Sequence, residues 1–95
     1  MDLERSIGEY VISTDKTRLD LDVIHSYLVG CYWAKDIPRE IVARSIEHSL
    51  CFGVYLGSVQ VGFARVITDY ATFMYVADVF ILEAHRGKGL GVAMM

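Results

Sequence analysis

The stretch of sequence that decides the fold is residues 77–91, which read ADVFILEAHRGKGLG. From Val79 to Leu82 the residues are apolar at both odd and even positions, as is typical of a strand that is covered on both faces. The segment Arg86–Gly91 then contains three glycines and two basic residues. Residues 92–95 are apolar and resemble the first turn of a helix. We therefore expect a buried strand, a glycine loop and a helix N-terminus, in that order.

A glycine loop in this position has the chemistry of an anion site. Glycine has no Cβ atom and tolerates positive φ, so the backbone can approach a ligand closely. The N-terminus of the helix adds unpaired N–H groups and a favourable dipole. Arg86 and Lys88 supply full positive charges. The segment suits a pyrophosphate, and the plainer alternative is a turn that caps a helix.

The spacing of the glycines separates three phosphate motifs. A Walker loop requires Ser or Thr directly after Gly-Lys, but Gly89 follows Lys88. A dinucleotide fingerprint requires glycine where this chain has Val92 or Met94, and it also requires a βαβ unit. The pattern that remains is Arg-x-x-Gly-x-Gly, met by Arg86, Gly89 and Gly91.

The residues before this stretch predict three strands in an antiparallel meander. Residues 50–57, 58–69 and 71–82 alternate with period two and are separated by short turn signals at Gly57-Ser58 and Asp69-Tyr70. Earlier in the chain we expect a strand over residues 9–13. A first helix should follow Asp20 through Tyr32, and a second should run from Pro38 to Ser49. The predicted fold class is α/β (α+β), with a mixed, mostly antiparallel sheet and flanking helices.

The Arg86, Gly89 and Gly91 pattern resembles the coenzyme A binding motif of the GCN5-related N-acetyltransferase (GNAT) family. The order of strand, two helices, three antiparallel strands, glycine loop and helix is also similar to that family, over almost the whole chain. The resemblance implies an acyl-CoA N-acyltransferase-like fold, with residues 1–95 as a single domain. The family's last strands and helix have no counterpart here, so we expect the domain to be truncated at its C-terminus.

The resemblance implies transfer of an acetyl group from acetyl-CoA, as cosubstrate, to a primary amine on a small molecule or peptide. Asp78 would act as the catalytic base, directly or through water, and Glu83 is a weaker candidate for that role. The general acid is expected beyond residue 95. The residues implied to bind acetyl-CoA are the backbone of Val79, Phe80 and Ile81, and the loop Arg86, Gly87, Lys88, Gly89, Leu90 and Gly91.

Structural roles compete with these assignments. Asp78 could be a partly buried carboxylate held by backbone donors or by a nearby cation. Arg65 would face Tyr75 if the turn is centred on Tyr70, and its structural role would then be cross-strand stacking or an ion pair. Trp33 and its neighbour Tyr32 either line an acceptor cleft or cap the core.

The histidines give no sign of a metal site. His25 and His48 fall on predicted helices without a second ligand at usable spacing, so we expect no metal. His85 either touches a phosphate or is an ordinary loop histidine.

Composition excludes several classes of function. The 95 residues carry a net charge of −3 without a basic run, so nucleic acid is not an expected partner. Apolar runs of four to seven residues are too short to span a membrane, and the charged N-terminus lacks a secretory signal. Cys31 and Cys51 have apolar neighbours, as is typical of reduced, buried thiols. We expect a cytoplasmic protein.

Two other possibilities stay open. The chain could be a noncatalytic acyl-CoA binding or interaction module, derived from a truncated or degenerate acetyltransferase. A second copy could also pair with the open edge of the sheet to form a homodimer.

Overall fold

A computed structural model describes residues 3–90, apart from the side chain of Tyr32. Five strands form one sheet in the order of the sequence, and every neighbouring pair is antiparallel. The strands are β1 (Glu4–Ile7), β2 (Tyr10–Ser13), β3 (Leu50–Leu56), β4 (Val59–Thr68) and β5 (Met74–Ile81). Two helices, α1 (Leu21–Leu28) and α2 (Arg39–Glu47), lie between β2 and β3 in the sequence. The predicted antiparallel sheet with flanking helices is confirmed.

Helix α1 begins where its cap predicts. The Asp20 carboxylate accepts hydrogen bonds from the backbone N–H groups of Asp22 and Val23, which the first turn of a helix leaves unpaired. The helix ends at Leu28, before the predicted end at Tyr32, and a 3₁₀ turn follows over Tyr32–Ala34. Gly30 lies between them and disfavours continuation of the helix.

The N-terminal strand β1 was not predicted. Its four residues pair with β2 through a turn at Gly8, where φ is +58°. Three of the four are exposed and two are charged, so neither hydropathy nor alternation marks a strand there. Pairing with β2 therefore explains β1 better than the composition of its own sequence does.

The apolar residues divide between the two faces of the sheet. On the face that we call the helix face, buried residues of α1 and α2 pack against β3, β4 and β5; this cluster contains Ile24, Leu28, Val42, Cys51, Phe63 and Phe80. On the opposite face the buried cluster contains Ile12, Val54, Val61, Ala64 and Leu90. Leu90 lies within the glycine segment, residues 86–91, and is only 2% exposed. It thus anchors this segment against the sheet.

Strand β5 does not have the surroundings that its apolar sequence predicts. Within residues 3–90 it lies at the edge of the sheet, with β4 as its neighbour. Val76 and Val79 are 41% and 38% exposed, so the expectation of a strand covered on both faces is not met in this part of the chain. Hydropathy predicts which side chains favour burial, but it does not identify the element that covers them.

Candidate functional site

The glycine segment has the backbone conformation that the sequence predicts. Gly87 and Gly89 have φ values of +79° and +76°, in the region that costs other L-residues roughly 1–2 kcal/mol. A Cβ atom built on either glycine meets no atom within 4 Å, so the space above the backbone is open. Within residues 3–90, no acceptor contacts the backbone N–H groups of residues 87–90. Leu90 is helical, whereas Gly91 and the predicted helix start over 92–95 lie outside the described residues.

Arg86 connects this segment to the rest of the fold. Its Nε donates to the carbonyl of Ile81 at 2.8 Å, and its Nη2 donates to the hydroxyl of Tyr27 at 3.0 Å. The Tyr27 ring stacks on Phe80 with centroids 4.1 Å apart. Arg86 therefore fixes the loop to the end of β5 and to α1 while its side chain stays at the surface. The sequence alone predicts for Arg86 only a positive charge near the phosphates, because its contact with Tyr27 joins residues that are 59 positions apart.

His85 contacts another strand of the sheet, whereas Lys88 is exposed. The His85 ring is 2.9 Å from the hydroxyl of Tyr10, through Nδ1, and meets that ring edge to face. The loop is thereby also joined to β2. Lys88 is exposed beside the two positive-φ glycines, where its charge can add to the field of the backbone N–H groups.

Asp78 is paired with a cation rather than open to solvent. It is 7% exposed, and its Oδ2 accepts from Nε of Arg65 at 2.7 Å. Its Oδ1 accepts from the indole Nε1 of Trp33 at 3.0 Å. The Nη1 of Arg65 reaches the hydroxyl of Ser49 at 3.1 Å. Both oxygens of Asp78 thus already have partners, as the structural interpretation of this residue predicted.

The expected pairing of Arg65 with Tyr75 is wrong. Arg65 lies opposite Asp78, and Tyr75 lies opposite Ile67. A tight turn centred on Tyr70 would have given the predicted register, but the connection spans residues 69–73 and is centred one residue later. A bulge then places one extra residue, Ala77, in β5 between the partners of Arg65 and Val66. This bulge directs Asp78 towards Arg65 on the helix face.

The remaining predicted site residues lie along β5 and its end. Val79 is exposed, Phe80 is buried and Ile81 is half-buried. The backbone of β5 has a second edge that no strand of residues 3–90 covers. Glu83 is exposed in a 3₁₀ turn immediately after the strand. The structure thus brings the exposed β5 edge next to the glycine segment, with Asp78 and Glu83 at opposite ends of the predicted thioester-binding residues.

A groove of about 580 Å³ opens above Asp78 on the helix face. Its floor holds Arg65 and Asp78, and its walls come from α1, from α2, from the connection between these helices, and from β4 and β5. Trp33 is 49% exposed and lines this groove, so it is not a cap on the core. The side chain of Tyr32 lies outside the described residues. The apolar residues that line the groove include Trp33, Ile37, Ile41, Ile67 and Tyr75.

Other chemistry-bearing groups have structural environments. Burial raises the pKa of the Cys51 thiol to about 11, which makes this residue a poor nucleophile. His25 contacts the carbonyl of Ile37 through Nε2 at 3.0 Å, and His48 is exposed. In the described part of the chain, no three His, Cys, Asp or Glu residues come close enough to bind a metal ion. None of the helices described there has the length and apolar character needed to cross a membrane.

The fold and the glycine segment define a class of protein. A five-stranded antiparallel sheet with two helices, followed by a glycine loop and a helix start, is the arrangement of the acyl-CoA N-acyltransferase fold. Residues 17–95 match the model of the acetyltransferase (GNAT) family. The chain belongs to the GNAT acetyltransferase family.

Two relatives support this assignment. A crystal structure of a GNAT-family protein from Xanthomonas campestris pv. campestris is 50% identical, with a TM-score of 0.89 over 95% of this chain and 64% of that protein. A Gibberella zeae protein named "Putative acetyltransferase FG08082" is 35% identical over 108 aligned positions, which cover 93% of this chain and 61% of that relative. The chain therefore spans less than two thirds of the length of either.

Proposed function

We propose that the protein is an acetyl-CoA-dependent N-acetyltransferase that acetylates the primary amine of a small molecule or peptide. The observation that carries the proposal is the glycine segment: two positive-φ glycines with open space above them, shortly after an exposed strand edge and directly before the helical residue Leu90. Membership in the GNAT acetyltransferase family supports the same activity.

The backbone of this segment is suited to the pyrophosphate of acetyl-CoA. The N–H groups of residues 87–90 can converge on the phosphate oxygens, and Arg86 and Lys88 add charge. The uncovered edge of β5 at Val79, Phe80 and Ile81 can pair with the amide groups of the pantetheine arm as an added strand would. An N–H group of the same edge can polarise the thioester oxygen. We include Gly91 in the proposed phosphate site because it occupies the last glycine position of the Arg-x-x-Gly-x-Gly motif.

The reaction needs a neutral amine at the thioester carbon. The amine nitrogen forms a bond to that carbon, the C–S bond breaks, and the leaving thiolate takes up a proton while the amine loses one. We propose that Asp78 accepts the proton of the amine, directly or through one water molecule. Its position on β5 directly before Val79 supports this role. Glu83 is the second candidate, at the opposite end of the thioester-binding residues.

A noncatalytic acyl-CoA binding module is the competing function. The observation that favours it is that both carboxylate oxygens of Asp78, the proposed base, already accept hydrogen bonds from Trp33 and Arg65. Such a module would use the same phosphate site without transferring the acetyl group. It would bind acetyl-CoA and leave the thioester intact.

Two measurements on the same protein separate these functions. Calorimetry measures acetyl-CoA binding, and a thiol reagent measures coenzyme A release when a panel of primary amines is added. Because Cys31 and Cys51 also carry thiols, each reaction needs a blank without amine. Amine-dependent thiol release supports the enzyme, and binding without release supports the module. Absence of binding contradicts both.

The proposal also covers the extent of the domain, its location in the cell and its partners. We propose that residues 1–95 all belong to one N-acetyltransferase domain, because both apolar clusters share one sheet. We also propose a cytoplasmic location and no nucleic-acid partner, in keeping with the net charge of −3. We further propose that two copies can pair through an open edge of the sheet to form a homodimer, which sedimentation equilibrium would detect.

A further inference from the structure

The contact between Trp33 and Asp78 bears on which amine the protein acetylates. Trp33 lies in the 3₁₀ turn between α1 and α2, and its indole N–H crosses the groove to Oδ1 of Asp78. The two residues are 45 positions apart in the sequence. The indole N–H can only donate a hydrogen bond. An N–H group of an amine that approaches the same carboxylate would also donate one, so the two groups would compete for the same oxygen.

The two oxygens of Asp78 differ in how firmly they are held. Oδ2 is bound to Arg65 on the floor of the groove, and Arg65 in turn donates to the hydroxyl of Ser49. Oδ1 is bound only to Trp33 among the described residues, and the Trp33 side chain is half exposed. The turn that carries it has no side-chain cap at Cys31 and is followed by Asp36 with φ of +59°. Oδ1 is therefore the oxygen at which one donor can replace another.

The residues that line the groove indicate what kind of chemical group carries the amine. Ile41, Ile67 and Tyr75 expose 45%, 43% and 58% of their surface beside Trp33. Covering these side chains favours an apolar or aromatic ligand. The charge of Asp78 is already balanced by Arg65, so a polyamine would place further ammonium groups there without anionic partners.

We propose that this groove binds a primary amine attached to an apolar, preferably aromatic, body, and that its N–H replaces the indole N–H of Trp33 on Oδ1 of Asp78. The proposal rests on the proposed function, because it names the acceptor of that reaction. Trp33 is then a positioning residue that holds the carboxylate until the acceptor arrives. Removing its N–H should strengthen binding of the amine.

Trp33 is the only tryptophan of the chain, so its fluorescence reports on the groove. We expect phenethylamine to give a saturable change of the emission, because the indole N–H loses its hydrogen bond to Asp78 while an aromatic body enters the groove beside the ring. Spermidine should require at least tenfold higher concentration. A response to spermidine at equal or lower concentration, or no saturable response to phenethylamine, would overturn the proposal.

The variant Trp33→Phe keeps an aromatic ring but lacks the indole N–H. By calorimetry we expect it to bind phenethylamine several-fold more tightly than the parent protein does. Tyr70→Phe is the matched control, because Tyr70 is 74% exposed and lies outside the groove; it should leave the affinity unchanged. Equal or weaker binding by a folded Trp33→Phe protein would contradict the proposal, and the titration of the parent protein decides the matter if the variant does not fold.

A measurement of acetyl-CoA binding by the same parent protein distinguishes failure of the proposed acceptor from failure of the proposed function. If acetyl-CoA binds and phenethylamine does not, the assignment of the acceptor is wrong and the proposed function stands. If acetyl-CoA does not bind, the proposed function fails and the assignment of the acceptor fails with it.

Discussion

Arg65 and Asp78 form an ion pair across β4 and β5, with Nε and Oδ2 2.7 Å apart and with side chains only 17% and 9% exposed. Removing one member of such a pair leaves the other charge in a poorly solvated place. We expect Arg65→Met to lower the free energy of unfolding by about 3 kcal/mol, measured by urea denaturation. The double variant Arg65→Met, Asp78→Asn should recover part of this loss. If the double variant loses as much stability as the sum of the single variants, the two residues are not coupled.

The hydroxyl of Tyr55 is buried and has no hydrogen-bond partner within the described residues. Burial also raises the pKa of this phenol to about 12. Because an unpaired buried polar group costs about 1–3 kcal/mol, Tyr55→Phe should leave stability unchanged or raise it. Thermal unfolding followed by circular dichroism measures the effect. A loss of more than about 1 kcal/mol would mean that the hydroxyl has a partner.

Gly53 provides the matching test on the same strand. A Cβ atom at this position would lie 2.2 Å from the Tyr55 hydroxyl and within 3 Å of its ring. Gly53→Ala should therefore destabilise the protein by about 1–3 kcal/mol through overpacking. Gly30→Ala is the control, because its nearest contact would be an ordinary 3.6 Å. Similar losses in both variants would show that the Tyr55 ring does not limit the space at Gly53.

Asp69 shapes the connection between β4 and β5. Its side chain accepts from the Thr72 hydroxyl and from the backbone N–H groups of Phe73, Ala71 and Thr72, and these bonds lower its pKa from the usual 3.8. A carboxyl with a lowered pKa stabilises the folded loop above its unfolded pKa, and this contribution is lost as the pH falls through the folded value. We expect the amide resonances of residues 71–73 to keep their positions down to pH 3.8 and to shift only in stronger acid. A midpoint at 3.8 would contradict the bonding pattern.

Arg86 holds the glycine segment through Ile81 and Tyr27, so its effect on acetyl-CoA should not come from charge alone. We expect Arg86→Ala to weaken binding roughly 10- to 100-fold, as loss of a charge-assisted hydrogen bond predicts. Tyr27→Phe keeps the ring stacked on Phe80 but deletes the hydroxyl that accepts the hydrogen bond from Nη2 of Arg86. It should therefore also weaken acetyl-CoA binding, by a smaller factor. Calorimetry of both variants is the measurement. Unchanged affinity in Tyr27→Phe would show that the bond from Arg86 to Tyr27 does not contribute to acetyl-CoA binding.

Local sequence signals predicted much of the framework. Asp20 and the apolar spacing that follows it located α1, and alternation located β3, β4 and β5, because these signals depend on neighbouring residues. The positive-φ glycines at 87 and 89 were also predictable, since few other residues adopt that conformation.

The parts that were missed depend on distant residues. The register of β5 follows from the five-residue connection at Asp69 and from the bulge at Ala77, which alternation does not reveal. The contact of Trp33 with Asp78 joins residues from different elements, and no local pattern marks it. The same holds for Tyr10, which contacts His85 from β2.

The central claim, that the glycine segment binds acetyl-CoA, is tested most directly by calorimetry of Gly89→Trp against the parent protein. The indole would occupy the open space above the backbone at Gly89. Gly57→Trp is the matched control, because Gly57 also has a positive φ of +62° and open space around it, in the turn between β3 and β4. We predict that Gly89→Trp abolishes acetyl-CoA binding while Gly57→Trp binds as the parent does. Binding by a folded Gly89→Trp protein as tight as that of the parent would contradict the account.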